Sequence, residues 1–79
     1  MLATKDDVKE AILAAFNNSD VSDIDEIDGR VTGTIRWDGF KGMDLDERYD
    51  RVTEAVWGRL GSRGLNIGFL LPLAPGDKP

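Results

Sequence analysis

From Thr4 onward, apolar side chains recur at Val8, Ala11, Ile12, Ala15 and Phe16, with Lys5, Asp6, Lys9 and Glu10 between them. Steps of three and four residues put the apolar set on one face of a helix and the charged set on the other, which predicts a helix over 5–16. Thr4 with Asp7 three residues on is a weakened capping box, and Asn17-Asn18 can end the helix because Asn tolerates the left-handed conformation. From Asp20 to Asp28 the apolar positions Val21, Ile24 and Ile27 lie three apart and do not alternate, so the stretch reads as a bulge or a short strand. Asp28-Gly29 then signals a two-residue hairpin, since both residues accept the positive φ of a type I′ turn.

Past the turn, Val31, Gly33, Ile35 and Trp37 alternate with Thr32, Thr34 and Arg36, the period of a strand with one face buried. Trp37 is in phase with that buried face. Asp38-Gly39 and Lys41-Gly42 break the strand, and Asp44 with Glu47 opens a second helix. There Leu45, Tyr49, Val52, Val56 and Leu60 share one face and are expected in the core. Gly61 and Gly64 around Ser62-Arg63 stop this helix. Leu65, Ile67, Phe69, Leu71 and Leu73 alternate into a last strand that Pro72 and Pro75 end, leaving a frayed tail over 76–79. These elements predict one α+β domain over 1–79 in α-β-β-α-β order, with a three-stranded mixed sheet and the helices on one face.

Composition narrows the chemistry. The chain has no histidine and no cysteine. That removes disulfides, thiolate metal sites and cysteine nucleophiles, and it fits a reducing cytoplasm. No signal peptide or membrane-spanning run is visible, so the sequence reads as a soluble, cytoplasmic protein without membrane contact. A net charge of −5 repels nucleic acid and anionic membrane in the average field. A general base would have to be a carboxylate or lysine with a shifted pKa, and no nucleophile and base or carboxylate pair is readable, so the expectation is no enzymatic activity and no cofactor.

Three features invite a site. The acidic stretch Asp20, Asp23, Asp25, Glu26, Asp28 suggests calcium, but an EF-hand loop counted from Asp23 would place Ile27 at its fifth position, Asp28 at its sixth and Thr34 at its twelfth, where oxygen, glycine and glutamate belong. It reads as a solvated acidic rim. Gly61-Ser62-Arg63-Gly64 has the Gly-x-x-Gly form of a KH-domain nucleic-acid clamp, yet it joins a helix to a strand where that clamp joins two helices. On the second helix, Arg48, Arg51 and Arg59, with Arg63 just beyond, line one flank of the apolar stripe, while Asp46, Asp50 and Glu54 line the other. The arginines are a candidate edge for nucleic acid or a partner; Asp44–Arg48 and Glu47–Arg51 at i, i+4 would pair and neutralise much of it. Trp57 lies off the stripe, half exposed, and is a candidate partner anchor.

The run from Phe40 to Leu60, extended over Val31 to Pro75, resembles BolA-like proteins. The residues that carry the likeness are Phe40, Gly42, Arg48, Tyr49, Val52, Ala55, Leu60 and Pro75. The resemblance implies the BolA-like, KH-II-like fold, with a short helical turn breaking the start of the second long helix. It also implies either partnership with a monothiol glutaredoxin around a shared [2Fe-2S] cluster or regulation through DNA binding. The family's cluster ligand is a histidine at the start of the last strand, because cluster iron needs thiolate or imidazole. Here that position falls on Leu65 or Asn66, and the hairpin offers only Asp28, Gly29 and Arg30. The expectation is a divergent, non-enzymatic BolA-like accessory or regulatory protein that binds a protein partner near Trp57 and the last strand without ligating a cluster. The alternative is a nucleic-acid-binding regulator using Arg48, Arg51, Arg59 and Arg63.

Overall fold

The structure is a computed structural model and describes residues 2–77. Its elements are α1 (Lys5–Ala15), β1 (Asp25–Ile27), β2 (Arg30–Arg36), α2 (Leu45–Leu60) and β3 (Ile67–Leu73), with 3-10 segments at Asp38–Phe40 and Gly61–Asn66. This is the α+β class in α-β-β-α-β order. The strands form one mixed sheet in the order β1-β2-β3, with β1 antiparallel and β3 parallel to β2. No helix among the described residues is long and apolar enough to cross a membrane.

Local chemistry sets the ends of each element. Thr4 Oγ1 accepts from the Asp7 N–H at 3.2 Å while the Asp7 carboxylate accepts from the Thr4 N–H at 2.9 Å, a complete capping box built with the shorter acid. Asp44 caps α2 by accepting from the Glu47 N–H at 2.9 Å. The hairpin turn has φ of 52° at Asp28 and 80° at Gly29, the left-handed pair that the type I′ turn requires. Between Asp20 and β1 the chain makes both a bulge and a short strand. Asp20 bridges to Arg36, Val21 packs against the core, Ser22 and Asp23 turn out to solvent, and Ile24 returns to a buried position over Gly33. A methyl group on Gly33 would collide with the Asp23 carbonyl oxygen and Ile24 Cα, so only glycine admits this crossing.

The core sits on one face of β2. Val31 and Ile35 are fully buried there, against Val8, Ala11 and Ile12 of α1 and Val52, Val56 and Leu60 of α2, which places both helices on that face. Phe16, Trp37 and Phe40 close one end, with ring centroids 4.6, 5.3 and 5.2 Å apart in tilted and edge-on pairs. Trp37, expected to be buried, is only partly so, because its Nε1–H donates to the Asn17 carbonyl at 3.0 Å near the surface.

Two expectations about the core fail. Leu45 belongs to the helix face but lies about two turns before Val52, the first buried residue of α2, and is 53% exposed, while Tyr49 is half-buried. In β3 the pairing steps from Val31↔Ile67 to Gly33↔Leu70, so β3 carries one extra residue. That bulge reverses the phase of everything after it. Ile67 packs on the core, but beyond the bulge Leu70 and Pro72 take the inner positions and Phe69 is turned out, 58% exposed. Pro72 also sits inside the strand it was expected to end. Its carbonyl accepts from Arg48, away from β2, and its nitrogen faces the same way on this edge strand, where no N–H is needed. In the tail, Asp77 is fixed by hydrogen bonds to Ala74 and Arg48 where fraying was expected; Lys78 and Pro79 lie outside the described residues.

The phase reversal gives a stability contrast. Ile35→Ala is expected to cost about 2–5 kcal/mol. Phe69→Ala should cost no more than about 1.5 kcal/mol, the value of its aromatic pair with Tyr49. Urea unfolding of both variants measures the difference, and the reverse order would place Phe69 inside.

Candidate functional site

The four arginines are brought to separate places. Arg48, with a side chain only 12% exposed, donates from Nε to the Met43 carbonyl at 3.1 Å and from Nη1 to the Pro72 carbonyl at 3.2 Å and Asp77 Oδ2 at 3.0 Å. It clips the start of α2 to the outer edge of β3 and to the C-terminal turn. Arg59 pairs with Glu10 at 3.3 Å, tying the end of α2 to the middle of α1, and Arg63 pairs with Asp7 at 2.6 Å, tying the 3-10 segment after α2 to the first turn of α1. Neither expected i, i+4 pair forms. The Asp44 carboxylate is spent on its cap, and Arg51 is exposed with no ion pair among the described residues. Three of the four guanidinium groups are therefore engaged across elements. Gly61-Ser62-Arg63-Gly64 likewise forms a 3-10 continuation of α2, its arginine held by Asp7 and Gly64 buried.

These contacts hold carboxylates ionised. Asp7 is lowered below the usual carboxylate range by the Thr4 N–H first, with the Thr4 hydroxyl and Arg63 adding. Asp77 is lowered by the Ala74 N–H first and then by Arg48. In the acidic stretch, Asp20 is lowered by hydrogen bonds from the Ser22 hydroxyl and N–H, and Asp25 by the Glu26 N–H and then Lys5. These carboxylates serve turns, and among the described residues no three His, Cys, Asp or Glu side chains converge as a metal site.

The position expected for a cluster ligand is divided between two residues with different fates. Leu65 is 79% exposed and has no ligating atom. Asn66 is a structural tie: its Nδ2 donates to the Ala3 carbonyl at 2.9 Å and to the Gly29 carbonyl at 3.0 Å. The Ala3 N–H donates in turn to the Arg63 carbonyl at 2.8 Å. One amide thus joins the N-terminal segment, the hairpin turn and the start of β3. Its Oδ1 is buried without a partner, and the two facing carbonyls fix which end of the amide carries the nitrogen.

Trp57 is half-buried, its five-membered ring against Gly64, where an added methyl would lie 3.1 Å from Cδ1 and Nε1. Leu45, Tyr49, Thr53 and Trp57 repeat at i, i+4 along the same flank of α2. Phe69 packs beside Tyr49 in a tilted pair with ring centroids 6.0 Å apart. The sequence pointed to Trp57 and the last strand, but not to Phe69 or Leu45, which its periodicity assigned to the core. Only the bulge, readable from the strand register, turns Phe69 outward. No protein-family model, curated protein or solved structure matches the chain.

Two measurements follow. Asn66→Ala is expected to destabilise by about 1–3 kcal/mol, the value of two hydrogen bonds. Asn66→Asp should cost more at neutral pH, with the excess shrinking in acid as its carboxyl gains a proton to donate. Equal stability of the wild type and both variants in urea would remove the tie. The lowered carboxylates set the acid limb: Asp7 and Asp77 contribute stability that is complete above about pH 4 and is lost as pH falls through their lower folded values. Asp77→Asn should therefore be less stable at neutral pH and show a shallower loss between about pH 4 and pH 2, as read by urea unfolding at each pH.

Proposed function

We propose that this chain is a non-enzymatic, BolA-like accessory or regulatory domain that acts by binding a protein partner and does not ligate an iron–sulfur cluster. The observation that carries the reading is the apolar surface on the outer flank of α2 and on β3. Phe69 is 58% exposed and packs at a tilt against Tyr49, with Leu45 at 53% on the same flank of α2. Exposed aromatic and aliphatic side chains grouped on one side are the usual anchors of a protein contact.

The BolA-like reading is supported by the parallel pairing of β3 with β2 in an α-β-β-α-β chain, since an all-antiparallel sheet would oppose it. It is also supported by the single helical turn at Asp38–Phe40 ahead of α2. The donor set opposes cluster chemistry. Leu65 offers no ligand, and Asn66 offers an amide whose nitrogen is committed to two carbonyls, where iron needs thiolate or imidazole. The carboxyl groups of Asp7, Asp20, Asp25 and Asp77 are all shifted down, opposite to what general acid–base work near neutrality requires.

The partner class that the resemblance implies is a monothiol glutaredoxin. Co-expression of the two proteins, followed by visible absorption of the purified mixture, is expected to give only the spectrum of glutaredoxin alone. A stable heterodimer whose cluster absorption depends on this chain would overturn the proposal.

A further inference from the structure

We infer that the outer flank of α2, together with the bulge of β3, docks a basic amphipathic helix of a partner protein. This rests on the protein-binding reading above and names the chemistry of the partner.

Two parallel ridges define the surface. The apolar ridge is Leu45 and the half-buried Tyr49, extended sideways by Phe69; half-buried Trp57 continues it one turn beyond the exposed Thr53. One step around the helix runs a second ridge, Asp46, Asp50 and Glu54, each exposed and none in an ion pair or side-chain hydrogen bond among the described residues. Asp46 lies in the first turn, where the helix dipole favours a carboxylate, but Asp50 and Glu54 gain nothing from it, and carboxylates at i, i+4 repel one another. Arg48, Arg59 and Arg63, by contrast, are each given a carboxylate by another element. The fold neutralises those charges and leaves this acidic ridge uncompensated beside exposed aromatic surface. The matching surface is apolar with a cationic border.

The edge of β3 decides between a strand and a helix as occupant. Pro72 has no N–H, and its outward carbonyl is taken by Arg48, so an added strand could not continue a ladder past Leu70. Recognition must then come from side chains. The carboxylates repeat about every 6 Å along α2, the rise of four helical residues. Lysines or arginines at i, i+4 on a partner helix meet them in register while its leucine face covers Tyr49 and Phe69. The same carboxylates repel nucleic acid and anionic membrane.

The probe is a labelled synthetic helical peptide of about 18 residues, with leucine along one face and lysine at i, i+4 on its border. Fluorescence anisotropy with the intact chain is expected to show binding that weakens as salt rises. Affinity should fall at least about tenfold for Phe69→Ser and for the combined Asp46→Asn, Asp50→Asn and Glu54→Gln variant. Circular dichroism confirms that both variants are folded. Amide shift changes in the intact chain should centre on residues 45–57 and 67–70. Unchanged affinity in either variant, or equal binding of a peptide with its leucines replaced by serine, overturns the inference. If a peptide with glutamate in place of lysine binds these residues and the lysine peptide does not, the basic-helix inference falls while the protein-binding reading stands. If neither peptide perturbs them, both fall.

Discussion

Among the described residues β2 is the only strand with a neighbour on each side, and the structure is assembled on its inner face. Val31 and Ile35 form the floor on which both helices rest. Between them Gly33 leaves the space through which the preceding segment crosses to deliver Ile24. A chain of 79 residues has little apolar surface to bury, so one well-covered strip must do what several layers do in a larger domain. The peripheral ties make sense in that light. Asn66 fastens the hairpin and the N-terminal segment to the foot of β3, and Arg48 fastens the C-terminal turn to its head. Polar clamps reinforce the margins of the core, where the N-terminal segment and the C-terminal turn each bury only an alanine, Ala3 and Ala74.

Much of this was legible in the sequence because local rules and global packing agree there. The first helix, read over 5–16 and found over Lys5–Ala15 with Phe16 as its C-cap, the capping residues Thr4 and Asp44, the Asp28-Gly29 turn and the alternation of β2 each depend on neighbours within four residues. The phase of β3 was not legible. Ile67, Phe69, Leu70, Leu71, Pro72 and Leu73 are all apolar, so either phase satisfies the alternation, and the extra residue at the bulge is fixed by pairing with β2 rather than by anything in the strand itself. Leu45 was misplaced for a related reason: helical phase says which way a side chain points, not whether the core extends that far.

The candidate site shows the same division. The charge-sided character of α2 could be seen on a helical wheel, but the wheel shows only partners from the same helix. Arg59 and Arg63 instead find Glu10 and Asp7, 49 and 56 residues away in the chain, and Arg48 finds Asp77, 29 residues away. Long-range compensation of one flank makes the uncompensated opposite flank informative, and it moves attention from the arginines to the carboxylates and aromatics.

The Arg48–Pro72 contact has a further consequence for how copies of the chain behave at high concentration. An open sheet offers two edges along which identical strands can stack into fibres. Here β1 is only three residues long, and β3 is interrupted by a proline whose outward carbonyl is already occupied. Neither edge can template a long ladder, so this small sheet is guarded against self-polymerisation while its aromatic flank stays uncovered.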